Sequence, residues 1–104
     1  MGYFTSRALR LARSSVGLND AIVLFLKHFP GKNDDEFLAV VEDEAIRGAV
    51  RSILDETQSI RIEWGQKTLT ELGREAREVM HQRHPELSDA ALESLGNYFT
   101  YLVK

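Results

Sequence analysis

Apolar residues recur at intervals of three and four along most of the chain, which is the spacing of one face of an α-helix. The first such series includes Phe4, Ala8 and Leu11, and we expect this helix to end at Gly17. A long apolar stretch follows, and it is bounded by residues that start and stop helices.

That second stretch covers residues 20–28 and is preceded by Asn19, a residue type that caps helix starts. Its centre is apolar on nearly every side, so we expect it to be the most buried helix. A buried strand would have the same composition, but no second β-rich segment is present to pair with it. Pro30 and Gly31 then break the helix.

A third helix is predicted after Asn33, because Asn33 and Glu36 have the spacing of a capping box in which Asn replaces Ser or Thr. Phe37, Leu38 and Val41 should share its inner face. A break near residues 42–44 follows, where Asp43 is a candidate cap for a fourth helix. The apolar face of that fourth helix comprises Ile46, Ala49, Val50, Ile53 and Leu54.

Residues Ile60 to Trp64 alternate between apolar and polar, as a strand does, but five alternating residues also fit an irregular crossover. We interpret this segment as a connector. Thr68 and Glu71 then form a capping box, which predicts a fifth helix that stops before Pro85. The residues expected on the inner face of this helix are Leu69, Leu72, Ala76, Val79 and Met80.

The last helix should begin at Ser88, with Leu87 and Leu92 as a hydrophobic staple across its start. Its expected inner face comprises Leu92, Leu95, Phe99 and Leu102. The chain has 104 residues, of which 43% are hydrophobic, and this is enough for one core. The pattern therefore predicts an all-α fold, a single bundle of about five to six helices over residues 1–104.

Cysteine is absent, which excludes disulfides and Cys-ligated metals and is typical of a reducing compartment. Arginines at 7, 10 and 13 interrupt the region where the apolar core of a secretory signal would lie. The longest apolar run, over residues 21–26, is far shorter than the roughly 20 residues that cross a bilayer. We therefore expect a cytoplasmic protein that does not engage a membrane.

Charge is unevenly distributed along the chain, although the net charge is only −3. Residues 1–28 have a balance of +3 and residues 29–60 a balance of −5. The acidic middle disfavours a nucleic-acid surface there, because phosphates are contacted mostly by lysine and arginine. Arg7, Arg10 and Arg13 leave nucleic-acid binding open as an alternative, but Asp89 and Glu93 are unsuitable at the start of a recognition helix.

No motif of an enzyme or a cofactor site is visible, and we expect neither catalysis nor a cofactor. His81 and His84 could supply two metal ligands, but Pro85 should displace His84 from the helix and no third ligand is obvious. We therefore expect no metal site. The clustered carboxylates could in principle supply a catalytic acid pair. Carboxylates at helix starts, however, usually cap helices and face solvent.

A protein-binding surface is the remaining interpretation of the acidic cluster, because local negative potential attracts a basic partner. Aromatic side chains often anchor such interfaces. Tyr98 and Tyr101 cannot both face inward with Phe99 on a regular helix, so at least one should be partly exposed. The predicted partner-binding residues are Asp34, Asp35, Glu36, Glu42, Asp43, Glu44, Trp64, Tyr98 and Tyr101.

The stretch from His84 to Tyr101, HPELSDAALESLGNYFTY, resembles the small α-helical immunity proteins of bacterial contact-dependent growth inhibition systems. The resemblance implies a non-catalytic cytoplasmic protein that binds and neutralises one cognate toxin domain, often a nuclease. It carries over no individual contact residue. A helical structural or regulatory interaction module is the alternative, and a nucleic-acid-binding domain is a further one.

Overall fold

The computed structural model describes residues 17–63 and 65–103, and this part of the chain contains five α-helices and no strand. The all-α prediction is therefore confirmed. The helix predicted before Gly17, with its three arginines, lies outside the described residues, as does Trp64. The helices are α1 (Leu18–Phe25), α2 (Asp34–Val40), α3 (Glu44–Gln58), α4 (Leu69–Arg83) and α5 (Asp89–Val103).

Three of the predicted helix starts are confirmed by side-chain hydrogen bonds. Asp43 accepts a bond from the Ala45 N–H at 2.8 Å at the start of α3. Thr68 and Glu71 form the reciprocal capping box at the start of α4, with both bonds at 3.2 Å. The Ser88 hydroxyl accepts a bond of 3.2 Å from an N–H in the first turn of α5.

The predicted Asn19 cap is wrong, whereas the helix start predicted after Asn33 is confirmed without its capping bond. Helix α1 begins at Leu18, so Asn19 lies inside its first turn, and its side chain bonds to the backbone of Ser88 instead. Asn33 precedes α2 but makes no capping bond, because its side-chain amide donates to the Leu24 carbonyl at 2.8 Å. Each asparagine side chain bonds to the backbone of another segment of the chain. The spacing of residues around an asparagine does not predict such a bond.

Helix α5 lies at the centre of the fold and packs against α4, α1 and α3. It contributes six buried residues, whereas α1 is shorter than expected and contributes two. The expectation that the second predicted helix is the most buried is therefore wrong. Leu102, expected to face inward, is 45% exposed, and the neighbouring Val103 packs against the core instead. The largest fully buried side chains are Ile22, Val41, Val50, Thr57, Leu72, Met80 and Leu95.

The connector between α3 and α4 is irregular over residues 60–63, as predicted. Ile60 is buried and Ile62 is partly buried, so the alternation reflects a crossover that packs one side against the bundle. The Lys67 ammonium lies 2.9 Å from the Glu75 carboxylate and holds the end of the connector against α4. None of the helices in the described ranges is long and apolar enough to cross a membrane.

Candidate functional site

Helix α2 is a short helix that buries only one narrow face. Phe37 is its buried residue, and Val41, which directly follows its end, is buried as well. The Phe37 ring meets the Phe25 ring of α1 edge-on with 5.0 Å between centroids. All other side chains of α2 are exposed. A helix of seven residues is about 10 Å long, so its two ends lie close together.

The exposed side of α2 is both acidic and apolar. We define the α2 surface as the eight exposed residues Asp34, Asp35, Glu36, Leu38, Val40, Glu42, Asp43 and Glu44. Leu38 is 48% exposed and Val40 is 44% exposed, and both are among the most exposed large apolar side chains of the described chain. The prediction that Leu38 faces inward with Phe37 is wrong.

The position of Leu38 follows from the end of the helix at Val40: the backbone of Val41 is extended, so Leu38 and Val41 do not share a helical face. Residues three and four apart share a face, so Leu38 lies over Asp34 and Asp35 and not over Phe37. The same spacing places Val40 beside Glu36. Two apolar side chains are thus presented to solvent between carboxylates at the start of α2 and carboxylates that follow its end.

The six carboxylates of the α2 surface differ in their partners. Glu36 forms an exposed ion pair with Lys27 at 3.3 Å, and Asp43 caps α3. Within the described ranges, the other four carboxylates form no ion pair with a lysine, arginine or histidine. The positive end of the helix dipole favours carboxylates in the first turn of a helix. It does not cancel the negative potential that these carboxylates direct into solvent. Those four residues are Asp34, Asp35, Glu42 and Glu44.

Arg47 holds the end of α2 against the start of α3. Its guanidinium donates to the Val41 carbonyl at 2.6 Å and to the Leu38 carbonyl at 2.8 Å. These carbonyls lie at the carboxyl end of α2, where the last turn has no partners of its own. The guanidinium therefore fixes the backbone that presents Leu38 and Val40.

Two of the predicted aromatic anchors, Tyr98 and Tyr101, differ in exposure. Tyr98 is only 7% exposed, its hydroxyl accepts a hydrogen bond from Gln58, and its ring contacts Phe29. Tyr101 is 47% exposed and also contacts the Phe29 ring, at 5.1 Å between centroids. The expectation that at least one of the two tyrosines is partly exposed is confirmed. Tyr98 serves the core, and the contacts of Tyr101 and Trp64 with a partner stay predictions.

A cluster of titratable side chains lies where α3 meets the loop between α4 and α5. One oxygen of Glu56 bonds to His84 Nε2 at 2.8 Å, and the other accepts from Arg83 at 3.1 Å. The bonds from His84 and Arg83 hold the pKa of Glu56 below its ordinary value, although burial opposes this shift. His84 follows the end of α4, as the neighbouring Pro85 predicts.

This cluster joins helices and is not arranged as a metal centre. Both oxygens of Glu56 are already bonded, and His84 Nδ1 lies 3.6 Å from the Glu86 carboxylate. Among the residues that the structure describes, no group of three or more histidine, aspartate or glutamate side chains could hold a metal ion. Its visible role is to fasten α3 to the loop before α5.

Comparison of the chain with protein-family models, with curated proteins and with solved structures finds no match.

Sequence reasoning identified the acids of the α2 surface but missed its apolar part. Val40 gave a misleading signal, because it lies three positions after the buried Phe37 and is nevertheless 44% exposed. Leu38 gave an ambiguous signal, since it adjoins Phe37 and only the narrow contact of α2 decides its direction. Arg47 gave none, because its bonds run to backbone carbonyls six and nine positions earlier.

Proposed function

We propose that this chain is a non-catalytic immunity protein that binds and neutralises a cognate toxin domain through the α2 surface. One observation carries the proposal: Leu38 and Val40 are exposed between two groups of carboxylates, four of which have no cation partner in the described ranges. Exposed apolar side chains framed by charge are typical of protein interfaces.

The two parts of the α2 surface would act at different stages of binding. Carboxylates that face solvent attract a basic partner over a distance and raise the association rate. Leu38 and Val40 would contribute after contact, because burying apolar area mainly slows dissociation. A basic nuclease cleft suits such a surface, since carboxylates can occupy positions that otherwise hold phosphates.

The resemblance of residues 84–101 to contact-dependent growth inhibition immunity proteins supports the toxin as the partner. A helical structural or regulatory module could use the same surface for another protein. The two hypotheses differ in what the neighbouring gene encodes. A large reading frame that ends in a toxin-like domain supports immunity.

The immunity role is tested by mixing the full chain with the toxin domain encoded beside it. We expect a stable one-to-one complex in size-exclusion chromatography and protection of cells that express the toxin domain. Absence of a complex with the unaltered chain would refute the immunity role, whatever the variants show.

The α2 surface is tested separately by charge reversal. Glu42→Lys combined with Glu44→Lys should slow association and weaken its salt dependence, because the steering potential is lost. The control is Glu63→Lys combined with Glu78→Lys, which changes the net charge equally at two exposed positions elsewhere. Equal association rates for both double variants at low salt would contradict the steering role.

The apolar part is tested by Leu38→Ser combined with Val40→Ser, with Leu102→Ser as the control at an exposed site on α5. The α2 double variant should speed dissociation by about tenfold or more if these side chains become buried in the complex. An unchanged dissociation rate would remove Leu38 and Val40 from the interface.

A further inference from the structure

Helices α4 and α5 approach each other closely at two glycines. A Cβ atom built on Gly73 would lie 2.8 Å from the Thr100 methyl group, and one on Gly96 would lie 3.0 Å from the Gly73 carbonyl oxygen. Neither position has room for a larger residue without movement of its neighbours. Both glycines are buried in this contact, and a groove of about 430 Å³ lined by residues of the two helices runs beside it.

Two arginines of α4 line this groove one helical turn apart. The stem of Arg77 crosses Gly96, since a Cβ there would lie 2.7 Å from Arg77 Cγ and 3.0 Å from Cδ. Arg74 lines the same groove from the preceding turn. Within the described ranges, neither guanidinium forms a hydrogen bond or an ion pair.

Two like charges at this spacing repel each other on a helix, and an anion between them would relieve that repulsion. Guanidinium groups bind carboxylate and phosphate oxygens through paired hydrogen bonds. The groove also has an apolar end, where Leu69 and Tyr101 line it.

The opposite wall limits the class of anion. Glu93 of α5 lines the groove, and Asp89 lines the adjoining depression that shares both arginines. A polyanion such as a nucleic acid would place further phosphates against these carboxylates. A single anionic group attached to an apolar body meets less of that repulsion than a polyanion does.

We propose that the groove between α4 and α5 binds a small organic anion, with its carboxylate or phosphate between Arg74 and Arg77 and its apolar part against Leu69 and Tyr101. This site is built from α4 and α5, whereas the α2 surface is built from α2 and the start of α3. The two proposals can therefore fail independently.

The test titrates the ¹⁵N-labelled full chain with phenyl phosphate and, separately, with benzoate, which distinguishes the two head groups. Two control compounds each contain one half of the proposed ligand: inorganic phosphate has the anionic group alone, and benzyl alcohol has the aromatic ring without a charge. We expect phenyl phosphate or benzoate to shift the amide resonances of Gly73, Gly96 and Asn97 with a Kd on the order of 1 mM or below. Each half-ligand should bind at least several times more weakly.

Arg77→Gln and Arg74→Gln should each weaken binding by about tenfold or more, which is the usual effect of losing a charge-assisted hydrogen bond. Arg51→Gln, an exposed arginine of α3, is the matched control and should leave affinity unchanged. Arg74 is itself exposed, so Arg74→Gln should fold even if Arg77→Gln does not.

Three results would each overturn the proposal. The first is the absence of any shift at Gly73, Gly96 and Asn97 with about 10 mM of either aromatic anion. The second is unchanged affinity in a folded Arg74→Gln protein. The third is an equal loss of affinity in Arg51→Gln, which would indicate only general attraction to positive charge.

Discussion

The side-chain oxygen of Asn19 accepts a hydrogen bond of 2.8 Å from the backbone N–H of Ser88, which lies 69 positions further along the chain. The amide nitrogen of the same side chain donates to the Glu86 carbonyl at 3.2 Å. Ser88 meanwhile caps α5 with its hydroxyl. One asparagine thus joins the first turn of α1 to the segment that starts the central helix.

Asn19→Ala should lower the free energy of unfolding by about 1–2 kcal/mol, because the part-buried Ser88 N–H would lose its partner. Urea denaturation monitored by circular dichroism measures this change. Asn19→Asp keeps the acceptor and loses the donor, so its loss should be smaller. Asn97→Ala is the control on exposed α5 surface, and a loss there as large as that of Asn19→Ala would contradict the bridging role.

Leu72 and Leu69 lie on the same helix but differ in burial, 0% against 38% exposed. Leu72→Ala should cost roughly 2–5 kcal/mol, the usual range for truncating a core leucine. Leu69→Ala should cost less than about 1 kcal/mol because water already reaches that side chain. Thermal or urea unfolding of both variants checks the difference. Similar losses would show that α4 does not pack as described.

Arg47→Met keeps the aliphatic stem but removes the two bonds to the Val41 and Leu38 carbonyls. We expect faster amide hydrogen exchange throughout α2, since so short a helix depends on such external contacts. The global loss should be about 1–2 kcal/mol. Arg51→Met, one turn later and exposed, should leave exchange in α2 unchanged. Equal exchange rates in α2 for Arg47→Met and the unaltered chain would count against this role.

Glu56 gives the protein a predictable response to acid. Its bonds from His84 and Arg83 lower its pKa in the folded state below the ordinary value of 4.5, so the unfolded state takes up a proton more readily. The stabilisation by Glu56 is therefore complete above the unfolded-state pKa, and it is lost as the pH falls through the lower folded-state pKa.

Glu56→Gln should therefore cost about 0.5–1 kcal/mol at pH 7 and progressively less below pH 4.5, where protonation weakens the same bonds in the unaltered chain. Urea unfolding at several pH values measures this convergence. Glu78→Gln is the control, since Glu78 accepts only a long bond of 3.5 Å from Gln82. A cost for Glu56→Gln that is constant from pH 7 to pH 3 would refute the assignment.

The candidate site was only partly predictable from sequence. The six acids of the α2 surface were identifiable because a dense run of carboxylates exceeds what two helix starts require. The burial of Tyr98 was not identifiable, because its partners Gln58 and Phe29 come from other parts of the chain. Likewise, Arg74 and Arg77 are visible as a pair, but only the contact of Gly73 with Gly96 places them beside a groove.

The sequence by itself determined the all-α class, the starts of α3, α4 and α5, and the irregular connector over residues 60–63. These features depend on residues within about four positions of one another, through capping bonds and the periodicity of one helix face. Tertiary structure alone decided the exposure of Leu38, the bond by which Asn19 joins α1 to the start of α5, and the central place of α5. Each of these depends on which distant segments pack together, and hydrophobic burial, being non-directional, leaves that choice to the fit of whole helices.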